Sequence, residues 1–244
     1  MTITDFFDAG IIGNIVFNNT ESNFNTALMI IAAVVIIIAA YLLGSINFAI
    51  IISGRKYKQD IREFGSKNAG MTNMMRTYGK KAAGYTLLGD ALKAVVSCLI
   101  GYALLGHLGA YLAGLFCILG HIFPAFYRLK GGKGVVTTAI SILMCDPFVF
   151  LILIALFVII VLFTRYISLA SVICVMLYPI LLDRISHMFT GGSTPYAVFA
   201  IIIAVVVVIK HWGNIKRLMQ GKENKFSFKK SVKPEDSASS SEEK

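Results

Sequence analysis

The chain has 244 residues, of which 57% are hydrophobic and only 15% charged, with a mean hydropathy of +0.74. Soluble domains carry roughly a quarter charged residues, and here the apolar excess falls into long unbroken runs, so a water-soluble globular domain is excluded. The 23 Lys and Arg against 13 Asp and Glu leave a net charge of +10; in a soluble chain that would suggest nucleic acid, but here membrane topology and an anionic ligand compete to explain it, and nucleic acid is not expected as a partner.

Met1 to Phe7 has no basic stretch, and with Asp5 and Asp8 alongside it does not read as a cleavable signal peptide; residues 1–24 are expected to be an extracytoplasmic N-terminal segment. A helix needs about 20 apolar residues to cross the hydrocarbon core. Leu28 to Ile52, Ala82 to Leu105, Ala110 to Tyr127, Phe148 to Phe163 and Ile167 to Leu182 meet or approach that length, Tyr196 to Ile209 is a sixth run, and the short Val135 to Cys145 continues the alternation. Counting it predicts an all-α domain of seven transmembrane helices over residues 25–228.

With seven spans, the twelve basic residues from Arg55 to Arg165 outside the spans and the nine from Lys210 to Lys244 fall on one face, leaving Arg184 on the other and Lys93 within a span. The positive-inside rule then puts the N-terminus outside and the C-terminus in the cytoplasm. Much of the surplus charge is thus topology. The Ser, Glu and Lys tail, residues 229–244, has no apolar content and is expected to be disordered. Cys98, Cys117, Cys145 and Cys174 lie in or beside apolar runs without disulfide or zinc spacing, and read as packed small hydrophobes.

Chemistry is confined to a few polar pieces. The loop Lys130-Gly131-Gly132-Lys133-Gly134, followed by Val135, Val136, Thr137 and Thr138, joins close backbone approach, a helix start and a point charge, a setting suited to phosphate; it also reads as a tight basic turn. It is not a Walker A loop, which would need glycine at Tyr127 and a hydroxyl at Gly134. The loop from Asp60 to Arg76 is rich in Gly, Asn, Ser and Thr, too poor in helix formers to be a good helix, and offers amides with guanidinium forks, Arg62 the sharper of them. Asp90 and Lys93 share a helix face inside a span, where a paired ion bridge and ligand binding are both open. His121 reads as a packed histidine. His211 and Asn214 share a face after the last span. No Ser-His-Asp set, paired carboxylate or metal cluster is present, so no metal and no cofactor is expected.

In order, Gly44-Ser45 with Asp60-Ile61-Arg62, Gly65-Ser66, Asn68, Gly70, Thr72-Asn73, Arg76, Gly79 and Asp90 to Lys93, then Gly120-His121-Ile122-Phe123-Pro124 through Lys130-Gly131-Gly132-Lys133-Gly134-Val135, then His211, Asn214-Ile215, Arg217-Leu218, Gly221 and Glu223 to Lys225, form three blocks. From Tyr41 to Lys225 the chain resembles the integral-membrane glycerol-3-phosphate acyltransferases that use acyl phosphate, the PlsY family. That resemblance implies seven helices with an external N-terminus and transfer of a fatty acyl group from acyl phosphate to the sn-1 hydroxyl of glycerol 3-phosphate. The active site would face the cytoplasm of a bacterial cell membrane, and the soluble enzyme that makes acyl phosphate would be a candidate partner beside membrane lipid. It also implies catalytic roles for Ser45, Arg62, His211 and Asn214, phosphate contacts from Lys130, Gly131, Gly132, Lys133, Gly134, Asn68, Asn73 and Lys93, and structural roles for Glu223 and Asp90. Asn47, Lys67, Met71 and Ala94 stand where the family usually has Pro, Gly, Ala and Gly; Lys67 matters most, because a backbone needing positive φ would be strained by it. The rival readings are a transporter or channel for an organic anion, which would use similar polar residues, and a lipid phosphotransferase, which would want more carboxylates.

Overall fold

The computed structural model describes residues 3–17, 22–192 and 194–226, and every regular element among them is helical. In chain order these are α1 (Ile3–Phe17), α2 (Ser22–Ser45), α3 (Phe48–Tyr57), α4 (Met71–Tyr78), α5 (Lys80–Ile122), α6 (Val135–Cys145), α7 (Pro147–Thr164), α8 (Ile167–Thr190), α9 (Ala197–Lys210) and α10 (Trp212–Met219). The tail at 229–244 lies outside the described residues.

The first apolar run is not one continuous helix. It breaks at Ile46–Asn47, where Asn47 caps α3 by accepting from the Ile50 N–H, and its amide donates to the Ala69 carbonyl. The break frees carbonyls at the end of α2. The next two runs are assigned to one helix, α5, but Leu105 and Gly106 leave helical geometry and the chain reverses there. In a straight helix residues 93 and 121 would stand about 42 Å apart at 1.5 Å per residue; instead Lys93 Nζ and His121 Nδ1 are 2.9 Å apart. The arms, residues 80–104 and 107–122, therefore form an antiparallel hairpin. Gly101 and Gly109 make the closure possible, since a Cβ on either would lie within 2.2 Å of the other's carbonyl oxygen. The N-terminal helix α1 lies against this hairpin's turn, with Gly10 on the Gly106 backbone.

Four helices are long and apolar enough to cross a bilayer, and a fifth is obtained if the bent pair α9 and α10 is one span. The hairpin contributes its two arms as separate rods. The short run α6 forms a helix of 11 residues, about 16 Å long and so roughly half the hydrocarbon thickness. Exposed Ile30, Ile31, Val34 and Ile38 on α2, and Leu151, Val158 and Leu162 on α7, form an apolar exterior that water would not tolerate at this density. Inside, Tyr111, Ile118, Val149, Tyr178 and Val207 join the second hairpin arm to α6 through α9, while Ile36, Ala40, Ala113 and Cys117 join α2 to the hairpin.

The long basic loop, too poor in helix formers to be expected as a helix, departs from that expectation at its end. Residues Met71–Tyr78 are helical. Tertiary packing overrides weak propensity, because Met74 is buried with Ile50, Ile61 and Ala82 in a small core of its own. Lys67 adopts φ 58°, so the strain expected at that position is present.

Candidate active site

A cavity of about 480 Å³ opens among α4, α6, α7, α8 and the chain around α10. Its polar end is lined by Ser66, Asn68, Arg76, Lys133, His211, Asn214 and Arg217; its walls are apolar, formed by Ala139 and Ile142 of α6, Phe150, Leu153 and Phe157 of α7, and Val175 of α8. The shape matches a molecule with an anionic head and a hydrocarbon tail.

Helix α6 supplies much of the polar end. Gly134 is its N-cap, in the left-handed region at φ 78°, and offers no side-chain cap. Gly134, Val135 and Val136 all line the cavity, so the positive end of the helix and its first-turn N–H groups face it. Lys133 donates to Asn214 Oδ1, and burial lowers its ammonium to about 8. Asn214 Nδ2 donates to Glu223 Oε1 at 2.6 Å, the same oxygen that accepts from Ser168 at 3.0 Å, and Arg217 Nε donates to Glu223 Oε2 at 2.8 Å. Glu223 is thus the hub that orients Asn214, Arg217 and, through Asn214, Lys133. The Phe226 N–H donates to the Arg165 carbonyl at 2.7 Å, fastening the segment that carries Glu223 across the α7–α8 turn.

His211 sits just past the end of α9. Its Nδ1 lies 2.8 Å from the Val207 carbonyl, which can only accept, so Nδ1 carries the proton and Nε2 presents a lone pair. His211 lines the cavity together with Asn214.

Other expected site residues are held elsewhere. Ser45 Oγ donates to the Tyr41 carbonyl at 2.8 Å and accepts from the Ala125 N–H at 3.1 Å, tying α2 to the turn after the hairpin. Arg62 grips Asp60 through Nε and Nη2, and Nη1 donates to the Tyr127 and Lys130 carbonyls at 3.1 Å each. The pair holds Asp60 below the usual carboxylate range. Those two carbonyls flank Arg128 and Leu129, both at positive φ, so Arg62 clamps a strained turn. Gly131 and Gly132 donate their N–H groups to the Ile122 and His121 carbonyls, at 3.2 and 3.1 Å. Their glycine identity follows from packing, since a Cβ would meet the His121 carbonyl at 2.0 Å or its ring at 2.2 Å. Asn73 accepts from the Ser66 N–H and donates to Ile61 and Phe64 carbonyls. Lys93 donates to the Gly44 and Ile46 carbonyls freed by the break after α2, at 3.0 and 2.7 Å, and pairs with Asp90 at 2.8 Å. Ser45, Arg62, Lys93, Asn73, Lys130, Gly131 and Gly132 therefore build the frame around the cavity rather than line it, whereas Lys133, Gly134, Asn68, His211 and Asn214 line it, together with the carboxylates Asp90 and Glu223.

Arg217 and Thr138 line the cavity without having been given a ligand role of their own from sequence, and Arg76, the second guanidinium of the loop from Asp60 to Arg76, lines it as well. Thr138 was findable, because it stands four residues after Gly134 on the same helix face. Of the two guanidinium forks in that loop, Arg76 on α4 reaches the cavity, whereas the sharper candidate, Arg62, does not.

The family described as Glycerol-3-phosphate acyltransferase matches residues 34–221. A protein of that name from Finegoldia magna is 41% identical over 192 residues, covering 78% of this chain and 93% of that one. One from Thermoanaerobacter pseudethanolicus is 39% identical over 201 residues, covering 82% and 99%. Among solved structures, the crystal structure of PlsY (YgiH), an integral membrane glycerol 3-phosphate acyltransferase, in its glycerol 3-phosphate form is similar at a TM-score of 0.72 and 34% identity, covering 80% of this chain and 96% of that one. Its lysophosphatidic acid form is similar at a TM-score of 0.69.

Proposed function

The chain belongs to the glycerol-3-phosphate acyltransferase family and is a multi-pass integral membrane acyltransferase of phospholipid synthesis; from that premise we propose that it moves a fatty acyl group from an acyl phosphate to the sn-1 hydroxyl of glycerol 3-phosphate, giving lysophosphatidic acid and phosphate. The observation that carries the donor is the cavity itself, with cationic and amide donors at one end and apolar walls at the other. An acyl phosphate is a mixed anhydride with a good leaving group, so positioning and charge stabilisation suffice without an enzyme nucleophile. Lys133, Asn68 and the α6 N-terminus hold phosphate on one side, and Arg76 and Arg217 hold it on the other. His211 Nε2 takes the proton of the attacking hydroxyl, and Asn214 keeps Lys133 and the substrate in register. Ser45 and Arg62 act through the loops they hold. The basic loops set these groups on the cytoplasmic side of a bacterial cell membrane, with the N-terminus outside and seven apolar helical segments in the bilayer, α6 entering only part way. The same basic face is available to the soluble enzyme that makes acyl phosphate.

Purified protein in detergent, supplied with acyl phosphate and glycerol 3-phosphate and no metal or coenzyme A, should release lysophosphatidic acid and phosphate. Folded protein that releases neither, yet moves glycerol 3-phosphate across a vesicle membrane, would favour a transporter instead. His211→Ala should lose at least a hundredfold in turnover, about the low end of general base effects; near-normal turnover across pH would remove histidine as the base.

A further inference from the structure

Thr138 is 6% exposed, lines the cavity, and its hydroxyl oxygen has no hydrogen-bond partner among the described residues. A helical threonine commonly donates back to the carbonyl four residues earlier. For Thr138 that acceptor is taken twice: the Gly134 carbonyl already receives the Thr138 backbone N–H at 2.8 Å and the Thr137 hydroxyl at 2.9 Å. Two other hydroxyls that line the cavity have protein partners, Ser171 the Ile167 carbonyl and Ser168 Glu223. Leaving a buried hydroxyl without a partner forfeits its hydration with nothing in return, so a ligand atom that pairs with it has an energetic reason to be there.

The position says which atom. Lys133 and Gly134, on the polar side of Thr138, precede it by one helical turn; Ala139, Ile142 and Leu153 line the apolar wall beyond it. In an acyl phosphate the carbonyl stands between the phosphate and the hydrocarbon chain, so a donor spanning the cavity carries its carbonyl past this residue. We propose that the Thr138 hydroxyl donates a hydrogen bond to the carbonyl oxygen of the acyl donor and stabilises the oxyanion formed there. The proposal rests on the acyl phosphate reading above. In the step, the sn-1 oxygen of glycerol 3-phosphate attacks the carbonyl carbon and its proton passes to His211 Nε2. The carbonyl π pair moves onto oxygen, held by Thr138. It then returns to reform the carbonyl as the bond from carbon to the bridging phosphate oxygen breaks, that pair leaving with phosphate.

Thr138→Val keeps the shape and removes the donor, while Thr138→Ser keeps the donor. The valine variant should lose about a hundredfold in kcat, the usual size for one oxyanion donor, with KM for both substrates within threefold of wild type, and the serine variant should stay within a few fold. A second readout is the carbonyl stretching band of a bound acyl phosphonate, which has no cleavable bridging oxygen. It should shift to lower frequency in wild type and return in Thr138→Val. An unchanged kcat, or a raised KM with unchanged kcat, overturns the proposal, and so does an unshifted band in wild type, which decides the matter even if the valine variant does not fold. Wild type that folds yet ignores acyl phosphate overturns the donor reading and this role with it; wild type active on acyl phosphate with an equally fast valine variant overturns this role alone.

Discussion

Lys93 and Lys133 are both partly or fully buried ammonium groups near the same cavity, and they differ in what surrounds them. Lys93 meets Asp90, two main-chain carbonyls and His121, all within 3.0 Å, and has no proton left to offer. Among the described residues Lys133 has Asn214 alone as a hydrogen-bond partner, and it lines the cavity. The first closes a helix break against the α5 hairpin; the second stands at the cavity, where the proposed reaction would bring a phosphate. A cation's partners, more than its burial or its place in a motif, decide whether it builds the site or uses it.

The largest expected effect separates the two by stability. The side chains of Lys93 and Asp90 are 3% and 2% exposed, so Lys93→Met strands a carboxylate and two carbonyls and should cost about 3–5 kcal/mol. The double change Lys93→Met with Asp90→Asn should recover part of that loss. Thermal unfolding in detergent checks both, and a single variant as stable as wild type would break the comparison.

Lys133→Met should do the opposite. It removes a partly desolvated charge, so the melting temperature should hold or rise. It also removes the charge-assisted bond to phosphate proposed above, worth about 1.5–3 kcal/mol, a loss of roughly ten- to a hundredfold in kcat/KM. Steady-state kinetics beside the same melts give the test, and a variant that loses stability but keeps its kinetics would put Lys133 in the same class as Lys93.

A pH series sharpens the contrast with smaller changes. Burial lowers Lys133 to about 8 in the folded protein, below the ordinary lysine value it regains on unfolding. Between those values the unfolded chain binds more protons, so stability rises with pH across that window, whereas the grip on phosphate, which needs the cation, weakens as pH passes 8. KM for glycerol 3-phosphate should therefore climb above pH 8 while the melting temperature of the ligand-free protein drifts upward. Lys133→Met should show neither trend from this group.

The apolar runs, the basic asymmetry and the three polar blocks were legible in the residues, because hydrocarbon length and loop charge are properties of contiguous sequence. The distinction between Lys93 and Lys133 was not. It depends on carbonyls exposed by a helix break 47 to 49 residues before Lys93 and on a hairpin that brings His121 back beside it, and neither is encoded locally. The same holds for Gly131 and Gly132: a glycine-rich basic loop suits phosphate, yet their N–H groups are consumed by the end of α5, and the residues that line the cavity open the helix that follows. Arg62 was singled out for its fork, which the structure spends on Asp60 and on two loop carbonyls.

The smallest expected effect concerns the frame alone. Lys67 stands in the left-handed region at φ 58°, exposed to solvent, where its backbone N–H donates to the Phe64 carbonyl at 2.9 Å. A side chain in that conformation costs roughly 1–2 kcal/mol, and glycine would relieve it while adding about 0.5–1 kcal/mol of unfolded-state entropy. Lys67→Gly should thus stabilise by well under 2 kcal/mol, with a rise of a few degrees at most in melting temperature. Its loop carries Asn68 and Ser66 into the cavity mouth, so kinetics test whether the strain is merely tolerated. Unchanged kcat/KM assigns Lys67 to the frame beside Lys93, whereas a stabilised variant with weaker glycerol 3-phosphate binding would mean that this strained lysine, like Lys133, is kept for the anion.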